Sequence, residues 1–389
     1  MKRVAAMLIA GCMVVSALAA CGASDAPAEN KAEASAENTK EAAPEASAED
    51  GAEAETAANE ETEKAAGELT PSGETLIIGT MANSLGLPVH QAEKAGYFKD
   101  AGLDVKIEIF ATGAPINEAM AAGELDVAVS GMASVYALAT GMYTYIGDGV
   151  ITTGGESIYA RADSPYAQAG ADADGVIGNA EVLKDASILG PLATTAHYQA
   201  IKYMEHFGLT TDDFSMVSMD YPQAYQAFIT GEGDLIANKM PYTNQLEEAG
   251  YVKVSDMNMI LDNPIIDTIF VQNAVAEGRR DDLILFLECY YKACADLMAD
   301  EAARRETAME WYAEEGITYS ESDMDTEIGV KDYFTIDTVD TEANSIGSFM
   351  TDIGAFYVEQ DMISTSDIPN VEASIDHSFL EAAKERAAK

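Results

Sequence analysis

The chain has 389 residues, 48% hydrophobic and 23% charged, the composition of a folded protein of one to three domains. Its charge is lopsided, with 22 Lys and Arg against 67 Asp and Glu and a formal net charge of −45. That balance opposes binding to a phosphate backbone or to anionic lipid, so no nucleic acid partner is expected, and four cysteines are too few for a disulfide scaffold.

The N-terminus reads as an address. Lys2 and Arg3 precede an apolar run from Val4 to Ala17, and Leu18-Ala19-Ala20-Cys21 follows. This is the layout of a signal peptide. It resembles the bacterial lipobox, in which the cysteine becomes the lipidated first residue; residues 1–21 are therefore expected to direct export and Cys21 to carry an anchor. Residues 22–73 hold 16 Ala, 14 acidic and three basic residues, no aromatic residue and only Leu69 as a large aliphatic. Such a segment cannot bury enough apolar surface to order itself. It is expected to be a disordered acidic tether, spanning on the order of 40 Å as a flexible coil. Removing these parts leaves residues 74–389 at −36, so the body itself is acidic.

From residue 76 the pattern alternates. Leu76–Gly79 reads as a buried strand, and Pro88 opens a helical stretch ending near Gly96. Val105, Ile107 and Ile109 give a second strand one apolar face; a helix over 116–122 and a strand over 125–129 come next. The alternation restarts after the Gly-Asp-rich segment 170–175. Strands are expected at 187–190, 214–219 and 235–237, with helices at 194–207 and 222–230 between them. Strands separated by helices imply largely parallel pairing with crossover helices. Beyond Arg279 the chain reads as mostly helical, notably over 281–299, 301–315 and 379–388.

Several segments together carry a resemblance. Ala95-Gly96-Tyr97-Phe98-Lys99-Asp100-Ala101-Gly102-Leu103-Asp104-Val105 is similar to the first helix–turn–strand of ABC-importer solute-binding proteins, in the branch serving nitrate, sulfonates, taurine and thiamine precursors. Gly123-Glu124-Leu125-Asp126-Val127-Ala128 resembles that branch's next turn and strand. Thr194-Thr195-Ala196-His197-Tyr198 resembles a turn of its sulfonate and taurine members, and Gly231-Glu232-Gly233-Asp234 followed by Pro241 a later one. The resemblance covers roughly residues 75–300; little is recognised beyond 315. It implies an α/β fold of the periplasmic-binding-protein type II class, with two lobes of mixed sheets flanked by helices and a ligand cleft between them. Lobe one would be 74–163 plus 265–389 and lobe two 164–264, with crossings near Ala160-Arg161-Ala162 and Thr268-Ile269-Phe270. The implied partners are a small solute, a permease and its ATPase subunit, and the membrane through Cys21; a monomer without cofactor is expected.

Candidate ligand contacts follow from where polar turns meet strand ends, since ligands of open α/β sheets sit beyond the carboxyl ends of strands. Thr194 and Thr195 open an amphipathic helix, whose free N–H groups and dipole suit an oxyanion; one of them can equally be just the N-cap. Ser130 and Gly131 follow a buried strand, and Ser84 follows the first; both serines also read as helix caps. Tyr221, Asn238 and Lys239 follow later strands. Lys239 is one of few basic residues able to neutralise an anion, or else a surface lysine among acids. Glu156 can receive a ligand amine or be solvated, and His197 can touch ligand, cap or pack. His90, His206 and His377 have no metal-ligand spacing. Cys289 and Cys294, five apart on a helix, fall on different faces and read as buried apolar residues. The chain lacks a Gly-x-Ser-x-Gly elbow, a His-Glu-x-x-His motif and a phosphate loop. A sulfonate-like or other small organic anion is the expected ligand class, with a thiamine-precursor pyrimidine or a zwitterionic amine as alternatives. An enzyme on the same fold, as in chorismate-dehydratase-like proteins, and an anchored sensor are the rival classes.

Overall fold

The computed structural model describes residues 69–389. Cys21, the signal segment and residues 22–68 of the expected tether lie outside the described residues. Residues 69–73, assigned by composition to the tether, belong to the body. Leu69 packs against the core, and Ser72 binds Asp282 through its N–H at 2.8 Å and its hydroxyl at 2.5 Å. Asp281 and Asp282 occupy the first turn of the Arg280–Ala299 helix, where acids offset the positive dipole end. The same turn thus holds the incoming chain.

Among the described residues, eleven strands form two sheets. β1 (Leu76–Thr80), β2 (Val105–Ile109), β3 (Val127–Ser130), β4 (Tyr143–Thr152), β10 (Ile265–Gln272) and β11 (Lys331–Tyr333) make the first, in the order β11-β4-β10-β3-β1-β2. β5 (Glu156–Ala160), β6 (Ser187–Gly190), β7 (Ser215–Ser218), β8 (Leu235–Lys239) and β9 (Val252–Asp256) make the second, in the order β7-β6-β8-β5-β9. The crossover helices impose parallel pairing of β1 with β2 and β3, and of β6 with β7 and β8. β10 pairs antiparallel with β3 and β4, and β5 with β8 and β9, so both sheets are mixed, as expected. The strands that change sheet supply these antiparallel pairs.

The crossings differ from expectation. The chain leaves the first sheet at Thr152 and enters the second at Glu156, through Thr153-Gly154-Gly155. It returns between Asp256 and Ile265. Ala160 is therefore inside β5, and Thr268–Phe270 is mid-strand in β10 rather than a crossing. Gly155 shows why the first crossing lies where it does: φ is +83°, and a Cβ there would come 2.9 Å from Met240 Cε and 3.0 Å from Val330 Cγ2. Only glycine takes that turn at that closeness.

One apolar core underlies the first lobe, and two clusters cover opposite faces of the second sheet. Cys289 and Cys294 are free and buried, as their spacing suggested. The region beyond 315 is not an appendage. The Glu321–Val330 helix and β11 close the edge of the first sheet beside the crossings, and Ser348–Glu359 packs on the same lobe. Side-chain contacts join the lobes at the rim. Asn244 donates to Asp323 Oδ1 at 2.9 Å, and Tyr198 meets Phe356 edge-on at 4.6 Å with the Lys202 ammonium 5.3 Å from the Phe356 ring.

Candidate functional site

A cavity of about 100 Å³ lies between the two sheets, beside the strand crossings. Ser84, Gly131, Glu156, Thr194, Thr195, Tyr221 and Lys239 line it, bringing seven of the sequence candidates together from both lobes. Asp267, Glu327, Lys331 and Tyr319 join them.

Three candidates stand elsewhere. His197 is buried, and its Nδ1 accepts the Ala193 N–H at 3.3 Å, so the ring steadies the turn before its helix. Burial holds its pKa down to about 4, leaving it neutral at physiological pH and unable to offer a cation. Asn238 is fully buried; its amide donates to the Tyr221 carbonyl at 3.1 Å and accepts the Lys239 N–H at 2.8 Å. Ser130 is fully buried beneath the cavity, its hydroxyl turned toward Gly113.

The first wall belongs to the second sheet. Glu156 and Lys239 are direct cross-strand partners on β5 and β8, which sets both side chains on one face at the cavity. They do not form an ion pair. The Lys239 ammonium lies 4.6 Å from the Tyr221 ring centroid, a cation–π arrangement. Burial lowers the Lys239 pKa, the nearby Glu156 opposes that shift, and Lys331 adds to it. Glu156 is 5% exposed, and its Oε2 has no hydrogen-bond partner among the described residues. Gln199 reaches only the Glu156 carbonyl, at 3.0 Å.

Thr194 precedes the Thr195–His206 helix in extended geometry, but its hydroxyl donates to the Pro191 carbonyl at 2.9 Å instead of capping the helix. Tyr221 is buried beside this helix start. Desolvation and Glu156 raise its pKa, whereas the Thr194 and Thr195 hydroxyls and the Ala196 N–H favour its ionised form. This end of the cavity therefore carries the Tyr221 and Thr195 hydroxyls, the Lys239 ammonium and the start of the Thr195–His206 helix.

The opposite wall is built by the first lobe. Asp267 sits where the β10–β4 register shifts, and such an irregularity re-aims a side chain off the ladder. Gly131 leaves it room: a Cβ there would approach Asp267 Oδ1 to 3.2 Å. Burial pushes the Asp267 carboxyl up to about 7; the Lys331 and Lys239 ammonium groups pull it down, and Glu156 adds to the rise. Lys331 donates to Thr152 Oγ1 at 3.0 Å. Glu327 is buried and satisfied, accepting from Tyr312 at 2.7 Å and Tyr319 at 2.8 Å.

The sequence signal for Asp267 was present, an acid inside the apolar run Pro264 to Val271. Lys331, Glu327 and Tyr319 had none, because packing alone brings them to the cavity. Among the described residues one group, Asp172, Asp174 and His206, gathers three potential metal-ligand atoms within 4.8 Å. Asp172 is already engaged by His206 and by the Asp174 and Val176 N–H groups at 3.0 Å, so the group closes a surface turn. Among the described residues, no helix is long and apolar enough to cross a membrane.

Comparison with known proteins agrees with this architecture. A family model described as the NMT1-like family matches residues 70–312. A Brachyspira hyodysenteriae protein that carries the name ABC transporter periplasmic binding protein is 25% identical over 309 residues, 79% of this chain and 88% of the relative. Among solved structures, the alkanesulfonate-binding protein of Xanthomonas axonopodis pv. citri bound to MOPS has a TM-score of 0.62 at 16% identity, covering 78% of this chain and 98% of its own. The periplasmic nitrate-binding protein of Synechocystis PCC 6803 has a TM-score of 0.64 at 12% identity, covering 82% and 90%. At such identities the solved structures establish the fold alone: two mixed α/β sheets of the periplasmic-binding-protein type.

Proposed function

Because the chain belongs to the NMT1-like family, we propose that it is the extracytoplasmic solute-binding subunit of an ABC importer. It captures a small organic anion of sulfonate or taurine size and delivers it to a permease driven by an ATPase subunit. Lipid on Cys21 tethers the protein, as a monomer, to the outer face of the cell membrane. The observation that carries this reading is the small charged cavity beside both strand crossings, lined from each lobe. A ligand that bridges two lobes joined by short crossings stabilises their closed arrangement, which is hinge closure. On this reading the acidic end of the solute lies toward Lys239, Lys331 and the Thr195 hydroxyl. The names of the Brachyspira relative and of the sulfonate and nitrate receptors support the role.

The reading takes the protein as a carrier, the role that its family and the name of the Brachyspira relative support. Uptake of radiolabelled alkanesulfonates and taurine by cells with and without this protein tests the role. Loss of uptake of one solute on deletion, restored by the intact gene but not by a Cys21→Ala form, is the expected result. Uptake unchanged by deletion for every solute sinks the importer reading and leaves a sensor.

A further inference from the structure

Two carboxylates in the cavity stand without a donor. Glu156 presents a fully buried Oε2 that no side chain or N–H reaches, although Lys239 is its cross-strand partner. Asp267, 9% exposed on the facing wall, has only burial and neighbouring charges acting on its carboxyl and no hydrogen bond among the described residues. The third acid, Glu327, differs in that two tyrosine hydroxyls satisfy it. Three acids and two lysines thus share a cavity in a body already at −36. A buried charged oxygen without a partner is costly, so Glu156 facing a second unbonded carboxyl across the cavity is an arrangement poorly suited to the unliganded protein. An anion without a positive group adds negative charge beside both and satisfies neither.

We infer that the solute carries a protonated amine, which Glu156 and Asp267 receive from opposite lobes while the acidic end faces the lysines. This deepens the importer reading and rests on it for the acidic end alone. Glu156 belongs to the second lobe and Asp267 to the first, so one amine bonded to both ties the lobes together. Recognition and closure are then the same event. A short solute with an amine at one end and an acid at the other matches a cavity that carries acids on both walls and lysines beside them. A site that presents buried acceptors for an amine rejects the analogue lacking it, because those acceptors then stay unpaired.

Matched compounds titrated calorimetrically into the full-length mature protein test this. Taurine and β-alanine carry both ends, ethanesulfonate and propionate lack the amine, and ethylamine lacks the acid. At least one zwitterion is expected to bind thirtyfold or more tighter than its amine-free partner. Glu156→Gln and Asp267→Asn should each weaken that zwitterion tenfold or more and leave the amine-free anion unchanged or tighter. Amine-free anions binding within threefold of the zwitterions, or zwitterion affinity unchanged in both variants, overturns the inference and leaves the anion receptor standing. Ethylamine binding as tightly as the zwitterions supports the amine site and removes the proposed acidic end. Binding of none of the five overturns both.

Discussion

Replacing Asp267 by Asn should stabilise the unliganded protein increasingly as pH rises from 4 to 7, with the full gain above that. The carboxyl has an ordinary pKa of 3.8 in an open chain and about 7 in the folded cavity, because burial disfavours its charge more than Lys331 and Lys239 favour it. Glu156 faces the same space and adds to the shift. An acid with a raised folded pKa takes up a proton on folding between pH 4 and 7. The wild type therefore loses stability as pH rises through that window, and the neutral amide does not. Three units at about 1.4 kcal/mol each give about 4 kcal/mol at pH 8 and almost nothing at pH 4. A body of about 320 residues unfolds with an entropy near 0.7 kcal/mol/K, so the gain corresponds to ~6 °C in melting temperature. Calorimetric scans without ligand at pH 4.5, 6 and 8 should show the variant drawing ahead with each step. An offset equal at pH 4.5 and 8, or a variant melting below the wild type at pH 8, would refute the reasoning.

The remaining predictions concern the parts that frame the cavity. His197 has a folded pKa of about 4, so the wild type should lose up to about 3 kcal/mol as pH falls from 6.5 to 4; melting curves of His197→Gln should lack that slope. Asn244→Ala removes the 2.9 Å bond to Asp323 across the rim, which at about 1 kcal/mol should shift the open-to-closed ratio roughly fivefold. Small-angle scattering of the unliganded variant should register a larger radius of gyration, and an unchanged profile would show that the rim contact does not hold closure. Gly155→Ala places a Cβ 2.9 Å from Met240 at a positive φ and should cost about 1–3 kcal/mol by denaturant titration. A fully stable variant would mean that the crossing has more slack than its geometry implies.

Much of the frame was legible from local patterns. The helices Arg280–Ala299, Glu301–Glu314 and Ser378–Ala387 fall within a residue of the spans expected for them. The β6 to β8 alternation reads equally well, because each short apolar run is bounded by glycine or acidic turns. The crossings were misplaced for a physical reason. Apart from Thr153-Gly154-Gly155, the residues from Tyr143 to Ala160 form near-continuous buried strand, and apolarity alone does not reveal a change of sheet within such a run. Polar residues at strand ends divided by a test that sequence cannot apply, namely whether the fold consumes their hydrogen bonds. Asn238 spends its amide on Tyr221 and Lys239, and His197 its ring nitrogen on Ala193, whereas Glu156 keeps an oxygen free. Lys331 and Glu327 reach the cavity from some 60 residues beyond β10, through packing of the C-terminal helices that carries no local signature.

The most direct test of the account is the structure of the protein with whichever solute of the matched set binds tightest. The account places the solute between the two sheets, its amine within hydrogen-bonding distance of both Glu156 and Asp267 and its acidic group toward Lys239 and Lys331. A solute seated elsewhere, or one in the cavity that leaves Glu156 Oε2 without a donor, would contradict it.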